Sequence, residues 1–128
     1  MRQKTYDLRV KDSLFNPDER SIKGIDVAYY KKQNKEGITY YKVHLYIDGM
    51  DLAFVKKVTY ILHKSFKNPV RTIERRPDNP HCKLILWTWG LFEIRVEIED
   101  INGQKTELEH YLSYGKEIKE GNIKWTQA

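Results

Sequence analysis

The octet Phe92 to Glu99, FEIRVEIE, sets the tightest limit on what this chain can fold into. Phe92, Ile94, Val96 and Ile98 alternate with Glu93, Arg95, Glu97 and Glu99. Successive side chains of a strand point to opposite faces. The octet therefore reads as an antiparallel strand with its apolar face buried and its charged face in water. Parity then selects the following turn. A two-residue Asn102-Gly103 hairpin sets Ile98 opposite Glu107 and mixes the faces. A three-residue loop, Ile101-Asn102-Gly103, pairs Ile98 with Thr106 and Val96 with Leu108. It also puts Gly103 at the left-handed bulge position, where glycine has no steric penalty. The three-residue loop is the expected one.

The same period recurs along the chain. Thr5 to Val10 alternates, with Tyr6, Leu8 and Val10 on one face. Ile25 to Tyr30 and Thr39 to Ile47 flank the charged tip KKQNKEG and read as a hairpin. In its second arm Tyr41, Val43, Leu45 and Ile47 share one face, and Tyr40, Lys42, His44 and Tyr46 the other. Val55 to His63 and a segment starting at Lys83 read as further strands. Ser13 to Ser21 and the Pro-containing stretch through Pro80 read as loops. The polar end from Gly115 fits a short helix, a strand or a frayed tail, with Trp125 packed down. No stretch shows twelve residues of helical period. Seven or eight short strands with frequent turns predict an all-β sandwich, a single domain over 1–128.

Composition narrows the class. The hydrophobic share is 40% and the charged share 32%, which suits a small domain with a well-solvated exterior. A single cysteine, Cys82, excludes an internal disulfide and fits a reducing compartment. No apolar run approaches the ~20 residues of a membrane helix. The opening MRQKTYDLRV lacks the apolar core of a secretory signal, so the expectation is a cytoplasmic protein with no membrane segment. Net charge is +5, with acidic residues interleaved among the basic ones. Lys56, Lys57, Lys64, Lys67, Arg71, Arg75, Arg76 and Lys83 concentrate in one region, but no nucleic-acid module accompanies them. They read as solvated surface, and nucleic acid is not an expected partner.

The catalytic inventory is bare. His44, His63, His81 and His110 lack metal-ligand spacing, so no metal is expected. His81 and Cys82, adjacent on an extended chain, face opposite ways and do not form a nucleophile–base pair. Glu97 and Glu99 belong to a solvated face. There is no Gly-rich phosphate loop. The reading is a protein that is not an enzyme, with no cofactor.

Two stretches remain: ILHKSFKNPVR, Ile61 to Arg71, and WTWGLFEI, Trp87 to Ile94. Phe66 follows one strand beside Ser65, and Trp89 precedes Gly90. Aromatic rings in loops at one end of a sandwich can face each other across a slot. A planar group between them gains about 0.5–1.5 kcal/mol per ring beyond burial. A hydroxyl and a free backbone N–H would fix an amide there. The plain alternative has both rings closing the core.

These stretches resemble the YEATS domain family, in which a strand ends in Leu-His-x-Ser/Thr-Phe-x-x-Pro and a later loop carries Gly-Trp-Gly-x-Phe or Gly-Tyr-Ala-Gly-Phe. Here they read Leu62-His63-Lys64-Ser65-Phe66-Lys67-Asn68-Pro69 and Thr88-Trp89-Gly90-Leu91-Phe92. The resemblance is strongest over 40–114, and Pro69-Val70-Arg71-Thr72 looks most like the prokaryotic branch. It implies an immunoglobulin-like antiparallel sandwich and a reader of acylated lysine. By the resemblance, Phe66 and Trp89 flank the flat acyl-amide and Ser65 hydrogen-bonds to it. The Trp89 N–H holds the acyl carbonyl, His63 braces Ser65, Tyr46 walls the pocket and Phe92 supports its floor. Thr88, where the family has Gly, and Gly90 complete the loop. Tyr111 stands near the place of an acidic residue that engages basic tails in histone readers. Two readings follow. One is a module for an acylated lysine peptide or acylated small molecule. The other is a protein-interaction or regulatory domain of a prokaryotic signalling or defence system, contacting a partner protein without an acyl ligand.

Overall fold

The computed structural model describes residues 6–14, 29–88, 90–112 and 125–127. Among the described residues, nine strands make two sheets. They are β1 (Arg9–Ser13), β2 (Tyr29–Gln33), β3 (Thr39–Asp48), β4 (Val55–Ile61), β5 (Val70–Glu74), β6 (Leu84–Thr88), β7 (Glu93–Asp100), β8 (Lys105–Tyr111) and β9 (Trp125–Gln127). One sheet has the order β5-β4-β7-β8. The other runs β1-β3-β2-β9, with β6 also paired to β3. No helix among the described residues is long and apolar enough to cross a membrane. The backbone groups into two units. The first comprises Met1–Lys11, Tyr46–Leu84 and Phe92–Tyr111; the second comprises Asp12–Leu45, Ile85–Leu91 and Leu112–Ala128.

The first unit is organised by β7. Ile94, Val96 and Ile98 are buried, while Glu93 and Arg95 are exposed and Glu97 and Glu99 half-buried, as the alternation requires. Val55, Val58, Tyr60 and Leu62 supply the buried face of β4 and its end. Each such side chain contributes about 1.5–3 kcal/mol on burial. The register of β7 on β8 pairs Val96 with Leu108 and Ile98 with Thr106. Gly103 has φ +84°, so the three-residue loop forms with glycine in the left-handed region.

Asp100 fastens that loop. Its Oδ1 accepts hydrogen bonds from the backbone N–H of Asn102 at 2.9 Å and of Gln104 at 2.8 Å. Its Oδ2 accepts the Tyr6 hydroxyl at 2.6 Å. A carboxylate buried to 3% exposure is tolerable because these donors replace water. The hydrogen bond to Asp100, the desolvation and the nearby negative charge push the Tyr6 phenol up to about 12.

The stretch between β4 and Pro80 was expected to be loop throughout, but β5 lies within it. It pairs antiparallel with β4, Thr59 facing Thr72 and Ile61 facing Val70. Thr59 and Thr72 join hydroxyls at 3.0 Å. Val70, Thr72 and Glu74 are exposed and no β5 residue is fully buried. A short, charged edge strand carries no apolar face for a periodicity reading to detect. The strand expected through His63 also ends earlier, at Ile61.

His81 and Cys82 lie in a turn, not on a strand. Cys82 has φ +49°, is fully buried, and its carbonyl accepts the Tyr60 hydroxyl at 2.7 Å. Nδ1 of His81 hydrogen-bonds the Ile47 carbonyl at 2.8 Å, which commits it to structure. Burial pushes the Cys82 thiol up to about 11. At pH 8 the thiolate is then a minor species, and the thiol is out of reach of solvent. Alkylation by iodoacetamide is expected to be at least a hundredfold slower in the native protein than in urea. Equal rates would contradict this burial.

In the second unit, β2 and β3 form the expected hairpin, with Lys32 opposite Tyr40 and Gln33 opposite Thr39. The strand runs further into KKQ than its charge suggested, so the loop is Asn34 to Ile38. Asn34 Oδ1 accepts the N–H groups of Glu36 at 3.0 Å and Ile38 at 2.9 Å, which shapes the turn. Leu14, Val43, Leu45, Leu86 and Leu112 are buried here. Trp125–Gln127 pairs parallel to β2. The alternation read over Thr5 to Val10 keeps its parity, with Tyr6, Leu8 and Val10 half-buried and Asp7 and Arg9 exposed, but the strand itself, β1, starts only at Arg9. The loop read over Ser13 to Ser21 (beyond Leu14), the strand start at Ile25 and most of the polar end from Gly115 lie outside the described residues.

Candidate functional site: a hairpin loop that aims a serine

The motif Leu62 to Pro69 is the loop of the β4–β5 hairpin. Its mouth is closed by the Leu62 N–H donating to the Pro69 carbonyl at 2.7 Å. A tight turn follows, the Phe66 N–H reaching the His63 carbonyl at 3.0 Å. Asn68 takes φ +53°, a conformation that asparagine tolerates better than most residues. Arg71 then clamps the far side, donating Nε to the Asn68 carbonyl at 3.1 Å and Nη2 to the Lys67 carbonyl at 3.0 Å. This clamp was missed in the sequence, although Arg71 stands two residues past the proline of the motif.

Within the loop, the hydrogen bonds of His63 define the state of Ser65. The Ser65 backbone N–H donates to His63 Nδ1 at 3.1 Å, and Ser65 Oγ lies 2.8 Å from the same nitrogen. An amide N–H can only donate, so Nδ1 is the acceptor in that contact. With Nδ1 accepting, a hydrogen bond between Oγ and Nδ1 has the serine as its donor. In that arrangement the hydroxyl keeps its lone pairs for an incoming donor. Both residues are exposed, so that oxygen is open to solvent.

Aromatic rings support the loop. Phe92, just before β7, lies 5.3 Å from the Phe66 centroid at 48° and 6.1 Å from the His63 centroid at 60°. Both are tilted or edge geometries that aromatic quadrupoles favour. Phe66 is half-buried, leaving part of its ring to solvent.

The structure brings His63, Ser65, Phe66 and Phe92 together in the first unit. Tyr46, also in that unit, is half-buried and meets His81 edge to face at 6.3 Å. In the second unit Thr88 is buried. Its hydroxyl lies 3.3 Å from the Gly90 carbonyl and 3.4 Å from the Gly90 N–H. Trp89 itself lies outside the described residues. No group of three or more His, Cys, Asp or Glu among the described residues is placed to hold a metal ion.

Comparison with known proteins places this hairpin in a family. The transcription initiation factor TFIID subunit 14 of Schizosaccharomyces pombe is 39% identical over 69 residues, which cover 52% of this chain and 27% of that protein. The protein AF-9 homolog of Eremothecium gossypii is 35% identical over 68 residues, 50% of this chain and 31% of its own. The match thus spans less than a third of either relative. Among solved structures, the Yaf9 YEATS domain recognising an H3K122suc peptide aligns over 92% of this chain and 82% of its own, with a TM-score of 0.55 and 18% identity. The Yaf9 YEATS domain bound to H3K27ac aligns over 88% and 78%, with a TM-score of 0.52 and 18% identity. These likenesses establish the fold: two sheets, antiparallel apart from the β2–β9 pair, in an all-β sandwich of the YEATS type. The prokaryotic YEATS domain family matches residues 41–113. More than half of the chain, including the whole His63–Ser65–Phe66 hairpin and the Thr88-to-Phe92 stretch, lies inside that match, and the chain belongs to the prokaryotic YEATS family.

Proposed function

We propose that this domain is a non-enzymatic module that binds an acylated amine, taking the acyl-amide against Phe66 with Ser65 as acceptor for its N–H. The observation that carries this reading is the state of Ser65. A hydroxyl that donates to His63 turns its lone pairs outward, which suits a ligand amide N–H. Phe66 and Phe92 supply a flat apolar wall beside it. Trp89 is the second ring in this reading, and its backbone N–H the donor to the acyl carbonyl, on the strength of the family motif. The YEATS family is generally a non-catalytic reader module, and the Yaf9 domain binds acylated histone peptides.

Charge refines the ligand. A net charge of +5 works against long-range attraction of a basic tail. Tyr111 is 59% exposed and, by the family resemblance, stands near the place of the acidic residue of histone readers. The preferred ligand is therefore an acyl-amide without a strongly basic flank, either an acylated small molecule or an acylated lysine in a neutral or acidic peptide.

The test is a titration with N-acetyl- and N-crotonyl-lysine amides. Ser65→Ala is expected to weaken binding about 3–10-fold, the worth of one neutral hydrogen bond. Phe66→Ala and Trp89→Ala should each weaken it at least tenfold. Wild-type protein that shows no binding at ~5 mM ligand, beyond the weak end of the affinity scale, would remove the reading.

A further inference from the structure

In the second unit, a groove of about 350 Å³ is lined by Lys32, Gln33, Asn34, Tyr40 and Trp87. That size lies at the small end of the range for ligand sites. Its walls come from facing strands: Lys32 sits opposite Tyr40 in the β2–β3 register, and Trp87 comes from β6, which also pairs with β3. The Lys32 ammonium is held over the Trp87 ring, 4.3 Å from its centroid. A cation is normally expected to find a carboxylate. Among the described residues none pairs with Lys32, and the side chain is exposed. Among the described residues, the groove thus presents a positioned positive charge without an ion-pair partner, beside half-buried Tyr40 and Trp87 rings.

Two amides at its edge are fixed by the loop. Asn34 Oδ1 is occupied by two backbone N–H groups, so its –NH2 is left as a donor. Gln33 Nε2 donates to the Gly37 carbonyl at 3.0 Å, so its Oε1 is left as an acceptor. Adjacent donor and acceptor groups are what the edge of a nucleobase pairs with. An aromatic face, one cation and this pair together describe a ligand that is flat, polar along one edge and anionic at one end.

We infer that the Lys32–Tyr40–Trp87 groove binds a planar aromatic anion of the nucleotide type, its ring on the aromatic wall and its phosphate at Lys32. The shared chemistry is a base bearing a phosphate, whether free or within a single strand. The site is independent of the acyl-amide reading.

The test follows backbone amide and indole N–H resonances in the full chain on addition of adenosine 5′-monophosphate, adenosine, inorganic phosphate and a short oligothymidylate. The monophosphate is expected to shift Lys32, Gln33, Asn34, Tyr40 and the Trp87 indole. Adenosine and phosphate alone should bind at least tenfold more weakly. Lys32→Gln, an exposed substitution, should lower affinity for the monophosphate about tenfold while leaving the spectrum folded. Shifts of the same residues that appear at lower concentration with the oligonucleotide support the groove and make the strand its source. No shift in the groove at ~5 mM monophosphate or oligonucleotide, or equal affinity in Lys32→Gln, overturns the inference.

Discussion

Gly49→Ala is expected to destabilise the domain by about 3–5 kcal/mol, lowering Tm by on the order of 10–20 °C. Two costs coincide. Gly49 has φ +144°, a region that L side chains rarely adopt, which alone carries about 1–3 kcal/mol. A Cβ there would also stand 2.1 Å from the Asp7 carbonyl oxygen and 2.8 Å from its carbon. Those are backbone atoms, and they are held in place. The Asp7 N–H donates to Asp51 Oδ2 at 2.7 Å, Asp7 Oδ2 accepts the Met50 N–H at 2.9 Å, and the Asp51 N–H reaches the Asp7 carbonyl at 3.3 Å. Relieving the clash breaks this lacing. Gly37 is the internal control: it too has positive φ, at +84°, but a Cβ there meets nothing within 4 Å. Gly37→Ala should cost only about 1 kcal/mol. Thermal and urea melts distinguish the two; near-equal losses would contradict the close-approach argument.

Asp100→Ala is the second large effect. It leaves the N–H groups of Asn102 and Gln104 and the Tyr6 hydroxyl without the carboxylate they share. Hydrogen bonds to a charged group are worth about 1.5–3 kcal/mol each, and partial replacement by water brings the expected loss to about 3–4 kcal/mol. Asp100→Asn keeps one oxygen for the backbone donors and should cost roughly 1–2 kcal/mol. A spectroscopic signature accompanies the loss. The Tyr6 phenol is raised to about 12 chiefly by its bond to Asp100. Because the folded value is raised, the bond is fully present below pH 10 and is lost as pH climbs through about 12. Ultraviolet titration of either variant should therefore show Tyr6 ionising closer to pH 10. A titration curve unchanged by both substitutions would contradict the assignment of the shift to Asp100.

Legibility from sequence tracked the strength of the local signal. The β7–β8 hairpin could be read to the residue, because a strict two-residue period and a glycine at the turn admit one register. The His63–Ser65–Phe66 loop could be located because its residue types are out of place in a strand end. What decides its chemistry was not legible there: that two donors converge on one nitrogen of His63 depends on the curl of the loop, not on spacing. The strand Val70–Glu74 was invisible for a different reason. Its pairing is backbone to backbone at a sheet edge, and its side chains, Arg71 and Glu74 among them, follow no apolar pattern. Asp100 reads in sequence as one more acid after Glu97 and Glu99. Only the turn geometry reveals it as a buried acceptor.

The central claim is that Ser65 and the Phe66–Phe92 wall receive an acyl-amide, and nuclear Overhauser contacts from a bound crotonyl-lysine amide test it most directly. The account predicts contacts from the crotonyl methyl and vinyl protons to the ring protons of Phe66, together with a shifted Ser65 amide. Contacts confined to other surfaces, or a ligand that leaves the Ser65 and Phe66 resonances in place at saturation, would contradict it.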